Sequence, residues 1–126
     1  EELKITLGSA SIEKAQGSMQ VRGRDMVTGL PRVVEVPAKE IAVAMSEIIH
    51  QILDAVKDVL EQTPPEISAD VIDHGIVLTG GGAMLRHLAE MISKETQVPA
   101  FVANDPLDCV ALGTGAILAN PSLMKK

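Results

Sequence analysis

Residues 75–85, GIVLTGGGAML, constrain the fold more than any other stretch of this chain. A short apolar run, Gly75 to Leu78, meets three consecutive glycines and then residues at helical spacing. The pattern predicts a buried strand, a tight turn and a helix start. Three glycines at one turn forgo side-chain packing and carry a backbone-entropy cost, so something there needs bare backbone. A nucleotide lying against the loop meets that need. So does close packing of the helix on the sheet, and the glycines alone leave both readings open.

The segments C-terminal to the loop set the fold class. The helix after it carries Leu85, Leu88, Ile92 and a Glu90–Lys94 pair at i,i+4. Val98 to Val102 reads as a second buried strand, introduced by Pro99. The last helix has a start signal in Asp105 as N-cap, Pro106 at N1 and Asp108 at N3, and Asn120 with Pro121 ends it. Its small residues, Gly113, Thr114, Gly115 and Ala116, permit close approach to a neighbouring element. Strand, helix, strand, helix implies a parallel pair with a right-handed crossover, hence an α/β fold.

Upstream, the strongest periodicity runs from about Lys39 to Gln62. Ile41, Met45, Ile48, Ile49, Ile52, Leu53, Val56, Val59 and Leu60 recur at three- and four-residue steps, with acidic and polar residues mainly opposite. This is an amphipathic helix of ~6 turns without an obvious N-cap, ended by Thr63-Pro64-Pro65. Its stripe suits a membrane surface, a coiled coil or the protein's own sheet, and a polar face richer in acid than base favours the last. PEISADVIDHG then reads as a helical turn leading into the strand at Gly75. Nearer the start, MQVRGRDM alternates and RVVEV comes after the turn signal TGLP, which suits an antiparallel pair joined around Gly29 and Pro31. Residues 1–8 are ambiguous: Ile5, Thr6 and Leu7 favour a strand by propensity, while Leu3 and Leu7 share a helical face with Gly8 as terminator.

Composition removes several function classes. Phe101 is the only aromatic residue, so stacking platforms for single-stranded nucleic acid are absent. A formal charge of −6 argues against a general phosphate-backbone binder, and no nucleic-acid partner is expected. Lone Cys109 forms no internal disulfide and fits a reducing compartment, and His50, His74 and His87 lack metal-ligand spacing. No leader is recognised, and no apolar run approaches the ~18 residues of a spanning helix. Glu1 in place of an initiator, with the apparent end of an element directly after it, raises the expectation of a piece of a longer protein. The glycine run lacks the Lys and Ser/Thr of a P-loop, misses the GxGxxG spacing, and has no nucleophile elbow or Ser–His–Asp grouping around it. Asp70, Asp73, Asp105 and Asp108 are explained by capping and solubility. Residue chemistry alone thus yields half of a nucleotide pocket, with no catalytic or metal-ligating residue to assign.

GIVLTGGGAMLRHL, with LEQTPPEISADVIDHG upstream and DPLDCVALGTGAI downstream, closely resembles the C-terminal part of the MreB family, the bacterial actin homologues. The resemblance runs in register from ELKITLG through VRGRDMVTGLPR to the final helix. The glycine loop alone points only to the actin, Hsp70 and sugar-kinase superfamily; the order TPPE, LTGGG, DPLDCVA is more specific. A chaperone ATPase or sugar kinase of that superfamily is the neighbouring alternative, and a non-enzymatic interaction module the bland one.

The resemblance implies a partial actin-like ATPase fold, in which residues 1–37 belong to an upper subdomain and 38–126 to the lower, nucleotide-binding one. It implies an ATP-dependent filament protein of rod-shaped bacteria, cytoplasmic and membrane-associated as filaments, that organises wall synthesis with wall-synthesis proteins at the inner membrane. The LTGGG loop would close over adenine and ribose of ATP or ADP. Gly80, Gly81 and Gly82 would offer bare backbone, Ala83 and Met84 would contact the base or the helix start below it, and Glu1 and Lys4 would reach the ribose. That reading also makes residues 1–7 the end of a helix. The family's phosphate-binding hairpins, Mg2+ ligands, water-positioning residue and membrane-attachment element all match sequence N-terminal to this chain. Alone, the chain is expected not to hydrolyse ATP, to bind nucleotide weakly, and to expose an unpaired sheet edge that lowers its stability or drives self-association.

Overall fold

The computed structural model describes residues 1–120 and 122. A short helix, α1 (Glu2–Leu7), precedes an antiparallel pair, β1 (Ser18–Arg24) and β2 (Pro31–Pro37). The long helix α2 (Ala38–Glu61) and a second helix α3 (Pro65–His74) lead into β3 (Ile76–Leu78). A 3-10 turn (Gly81–Met84), α4 (Leu88–Thr96), β4 (Ala100–Val102) and α5 (Cys109–Ala119) complete the order.

Residues 1–8 follow the resemblance rather than local β propensity. Gly8 ends α1 by turning its N–H onto the Lys4 carbonyl at 2.9 Å. A Cβ at Gly8 would stand 2.1 Å from that same carbonyl oxygen, so glycine is required by close approach. The hairpin has the register Ser18↔Pro37 through Arg24↔Pro31. At its tip Asp25 accepts from the N–H groups of Val27 (2.9 Å) and Thr28 (3.0 Å) and pairs with Arg32 at 3.1 Å.

Pro37, in extended conformation, stands at the N-cap of α2 without a side-chain cap, in keeping with the missing sequence signal. Two buried clusters line this helix. Ala38 and Ala42 meet Leu7 and Ala15 near its start. Ile49 and Leu53 meet Ala10, Leu88 and Ile92, with Ile76, Leu78 and Ala100 packed against them. The helix therefore seats mainly on α4, with the sheet behind. Its apolar stripe is wider than the surface covered, since Ile48 is 56% exposed and Val59 66%.

Several expectations require correction. The turn after Pro64-Pro65 is a ten-residue helix, started by Pro65 at its first position and stopped by Gly75 at φ +78°. The parallel strands pair Ile76↔Ala100, Val77↔Phe101 and Leu78↔Val102, but each is only three residues long. Neither is buried on both faces: Val77 is 52% exposed and Phe101 47%. Helix α4 does not begin at the glycine loop. Leu85 is extended and His87 left-handed (φ +65°), because residues 85–86 are drawn into a parallel bridge between Ser9 and Arg86. Leu85 therefore precedes α4, and Glu90 pairs with Lys14 rather than with Lys94.

The expected start of the last helix is displaced by one turn. Asp105 adopts φ +49° and its carbonyl accepts from Asp108 N–H at 2.9 Å, so residues 105–108 form a turn and Asp108 is the N-cap of α5. Asn120 closes the helix, and Pro121 lies outside the described residues. The close approach expected at Gly113 and Gly115 is not made among the described residues, since a Cβ at either would meet nothing of theirs within 4 Å. Helix α5 is apolar on every side yet holds no buried residue; Val110 is 78% exposed and Leu118 77%.

Candidate functional site

The glycine loop sits just beyond the carboxyl end of β3, beside the turn that succeeds β4. In open α/β sheets this edge is where ligands bind. Gly80 adopts φ +82°, a region open to glycine but strained for other residues, and its N–H donates to the Pro106 carbonyl at 2.7 Å. The displaced turn before α5 thus anchors the loop. Gly81–Met84 then winds into one 3-10 turn, with Ala83 N–H on the Gly80 carbonyl (3.2 Å) and Leu85 N–H on that of Gly82 (3.1 Å).

The five loop residues divide by direction. Ala83 is buried and faces the protein, whereas Met84 is 58% exposed. A Cβ at Gly80 or Gly82 would meet nothing within 4 Å, and one at Gly81 would make only an ordinary 3.6 Å contact with Leu107. Helix-to-sheet packing therefore does not require the bare backbone of Gly81 and Gly82. Among the described residues, only the Leu107 side chain comes within 4 Å of where side chains at these glycines would begin. Two cavities, of about 280 and 410 Å3, lie elsewhere, one between residues 10–14, α2 and α4 and the other on a face of the hairpin.

Glu1 and Lys4 are brought to each other, 2.8 Å apart at the exposed start of α1. The hydrogen bond from Lys4, then its charge, hold the Glu1 carboxyl below its ordinary value. The other end of α1 rests on the segment after the glycine loop. The Arg86 guanidinium donates to the Thr6 carbonyl, and Ala10 N–H donates to the Arg86 carbonyl at 2.8 Å. Ser9, buried to 3% exposure, has its Oγ 2.8 Å from the Ser11 carbonyl and 2.9 Å from His87 Nδ1, a hydrogen bond whose direction follows the imidazole tautomer. Sequence reasoning missed Ser9, Arg86, His87 and Pro106, because none stands in a periodic pattern and their roles arise from contacts about 80 or 26 residues away along the chain.

Among the described residues, no group of three or more His, Cys, Asp or Glu is arranged to hold a metal ion. No helix among them is long and apolar enough to cross a membrane.

The whole arrangement is similar to MreB5 of Spiroplasma citri bound to ADP, with a TM-score of 0.87 and 34% identity over 99% of this chain and 37% of that one. It is also similar to MamK of a double helical filament, at a TM-score of 0.67 and 20% identity, over 84% of this chain and 32% of that one. The MamK likeness carries the fold alone. The fold is actin-like α/β. Residues 1–126 match the family described as MreB/Mbl protein. The chain is 45% identical to the cell shape-determining protein Mbl of Bacillus subtilis over its full 126 residues. It is 43% identical to the cell shape-determining protein MreB of Escherichia coli K12 over 118 residues. The chain belongs to the MreB/Mbl family of actin-like, cell shape-determining cytoskeletal proteins. It spans 38% and 34% of the length of those two relatives.

Proposed function

We propose that this chain forms the adenosine side of the nucleotide cleft in an ATP-dependent, filament-forming protein that maintains cell shape. One observation carries the reading: Gly81 and Gly82 leave open backbone at the carboxyl edge of the parallel pair where the fold itself has no use for it. A purine lies on that backbone, Met84 flanks it, and Glu1 with Lys4 hydrogen-bonds the ribose hydroxyls. Ala83 supports the loop from beneath. The ADP bound to MreB5 of Spiroplasma citri, a relative of the same fold, supports this assignment.

This chain offers the purine a neutral surface and holds no metal-binding cluster among its described residues. ATP or ADP with Mg2+ takes its phosphate and metal contacts, as the family resemblance implies, from the rest of a longer protein, where hydrolysis also resides. Self-association into filaments, as membership of the MreB/Mbl family implies, is the partner of first resort. Wall-synthesis proteins and the inner membrane are engaged by the assembled, cytoplasmic filament.

Titration of Mg·ADP into the full-length protein, monitored by fluorescence of a labelled nucleotide, tests the reading. Saturable binding that adenosine competes for supports it. Binding indifferent to the base and ribose contradicts it, as does failure to sediment as filaments with ATP.

A further inference from the structure

The glycine loop and α1 are separated by about 75 residues of sequence, yet they are joined by one three-residue strap, Leu85-Arg86-His87. Arg86 makes the join twice. Its backbone bridges to Ser9 and accepts from Ala10, while its guanidinium caps α1 at the Thr6 carbonyl. A cation on the carbonyl end of a helix satisfies orphan acceptors and complements the helix dipole. His87 closes the strap by hydrogen-bonding with the buried Ser9 hydroxyl while holding a left-handed backbone. Strain of that kind persists only where contacts on both sides fix it. Leu85 also stands 3.1 Å from where a Cβ of Gly8 would be, so the seam leaves no room to slide.

We infer that Arg86 is a positioning residue for ribose recognition: it fixes the direction of α1, and with it Glu1 and Lys4, relative to the glycine loop. Arg86 itself touches no nucleotide. The inference rests on the assignment of Glu1 and Lys4 to the ribose and of the glycines to the purine. Removing the guanidinium leaves the backbone bridge, the glycine loop and the packing of Leu7 on α2 in place but loosens the tie that sets the direction of α1. Recognition of the ribose hydroxyls then declines while recognition of the base remains.

Affinity for ATP and for 2′,3′-dideoxy-ATP, measured on the full-length protein and its Arg86→Gln and Arg86→Lys variants, tests this. The unaltered protein is expected to prefer ATP by about tenfold or more, the scale of losing hydrogen bonds to charged groups. Arg86→Gln is expected to bring that ratio to within about twofold of unity, with dideoxy-ATP affinity nearly unchanged. Arg86→Lys, which keeps a cation near the Thr6 carbonyl, gives an intermediate ratio and carries the test if the glutamine variant does not fold. Equal loss of both nucleotides, or an unchanged ratio in either folded variant, overturns the inference and leaves the nucleotide site standing. An unaltered protein that binds both nucleotides equally, or neither, overturns the ribose assignment and this inference together.

Discussion

Gly75 and Asp25 show how single residues hold this chain in shape. Gly75 combines φ +78° with a Pro99 carbonyl oxygen 2.7 Å from where a Cβ would stand. Gly75→Ala therefore meets both backbone strain and a rigid neighbour, and a loss of about 2 kcal/mol or more is expected in chemical denaturation. Asp25 organises the hairpin tip. Hydrogen bonds from Thr28 and Val27 N–H, then from Arg32, hold its carboxyl below the ordinary value of 3.8. By linkage, a depressed carboxyl pKa stabilises the folded state above the ordinary value, and that stabilisation is lost as pH falls through the lower, folded value. The amide resonances of Val27 and Thr28 should therefore titrate with a midpoint below 3.8, and a midpoint at or above it would contradict the geometry. In the sequence Gly75 reads as the start of the strand, whereas the structure makes it the cap that ends α3. The partners of Asp25 depend on how the hairpin closes, which propensity does not encode.

Element by element, long periodic segments were readable and short ones were not. The α2 stripe identified the helix to within one residue at each end, because its 24 residues sample many turns of one period. Three-residue strands give no such statistics, and β3 and β4 proved shorter and more exposed than their apolar runs suggested. The starts of α4 and α5 moved because backbone groups near them serve the seam to residues 8–10 and the anchor on Gly80. Tertiary demand displaced local capping chemistry there. The α2–α4 contact centres on Ile92, 1% exposed among Ile49, Leu53 and Leu88. Ile92→Ala is expected to cost about 2–5 kcal/mol by leaving a cavity, read from the denaturation midpoint. Ile48→Ala, on the uncovered side of the same helix, should change stability by less than about 0.5 kcal/mol.

Across the whole molecule, the surface is more apolar than its size requires. Helix α5, with Val110, Leu112 and Leu118 all more than 60% exposed, and the open face of the parallel pair present apolar surface that a soluble monomer normally covers. Produced alone, residues 1–126 should bind a hydrophobic dye and elute from size exclusion above monomer size. Val110→Ser with Leu118→Ser should reduce both effects without altering the helical content of the rest. A sharp monomeric peak and no dye binding in the unaltered chain would contradict this.

The site was legible to the extent that its chemistry is local. Three adjacent glycines announced a loop with bare backbone, and the structure shows where that backbone faces. The ties that hold the loop in place, Pro106 on one side and Arg86 with Ser9 on the other, came from distant segments and left no mark in the local pattern. Gly82 offers the most direct test, because it has no positive φ and its missing side chain would meet nothing within 4 Å. In the full-length protein, Gly82→Leu should leave the melting temperature within about 2 °C of the unaltered protein while weakening ATP binding by about tenfold or more. Unchanged ATP affinity in a folded Gly82→Leu protein would show that no purine rests on this loop.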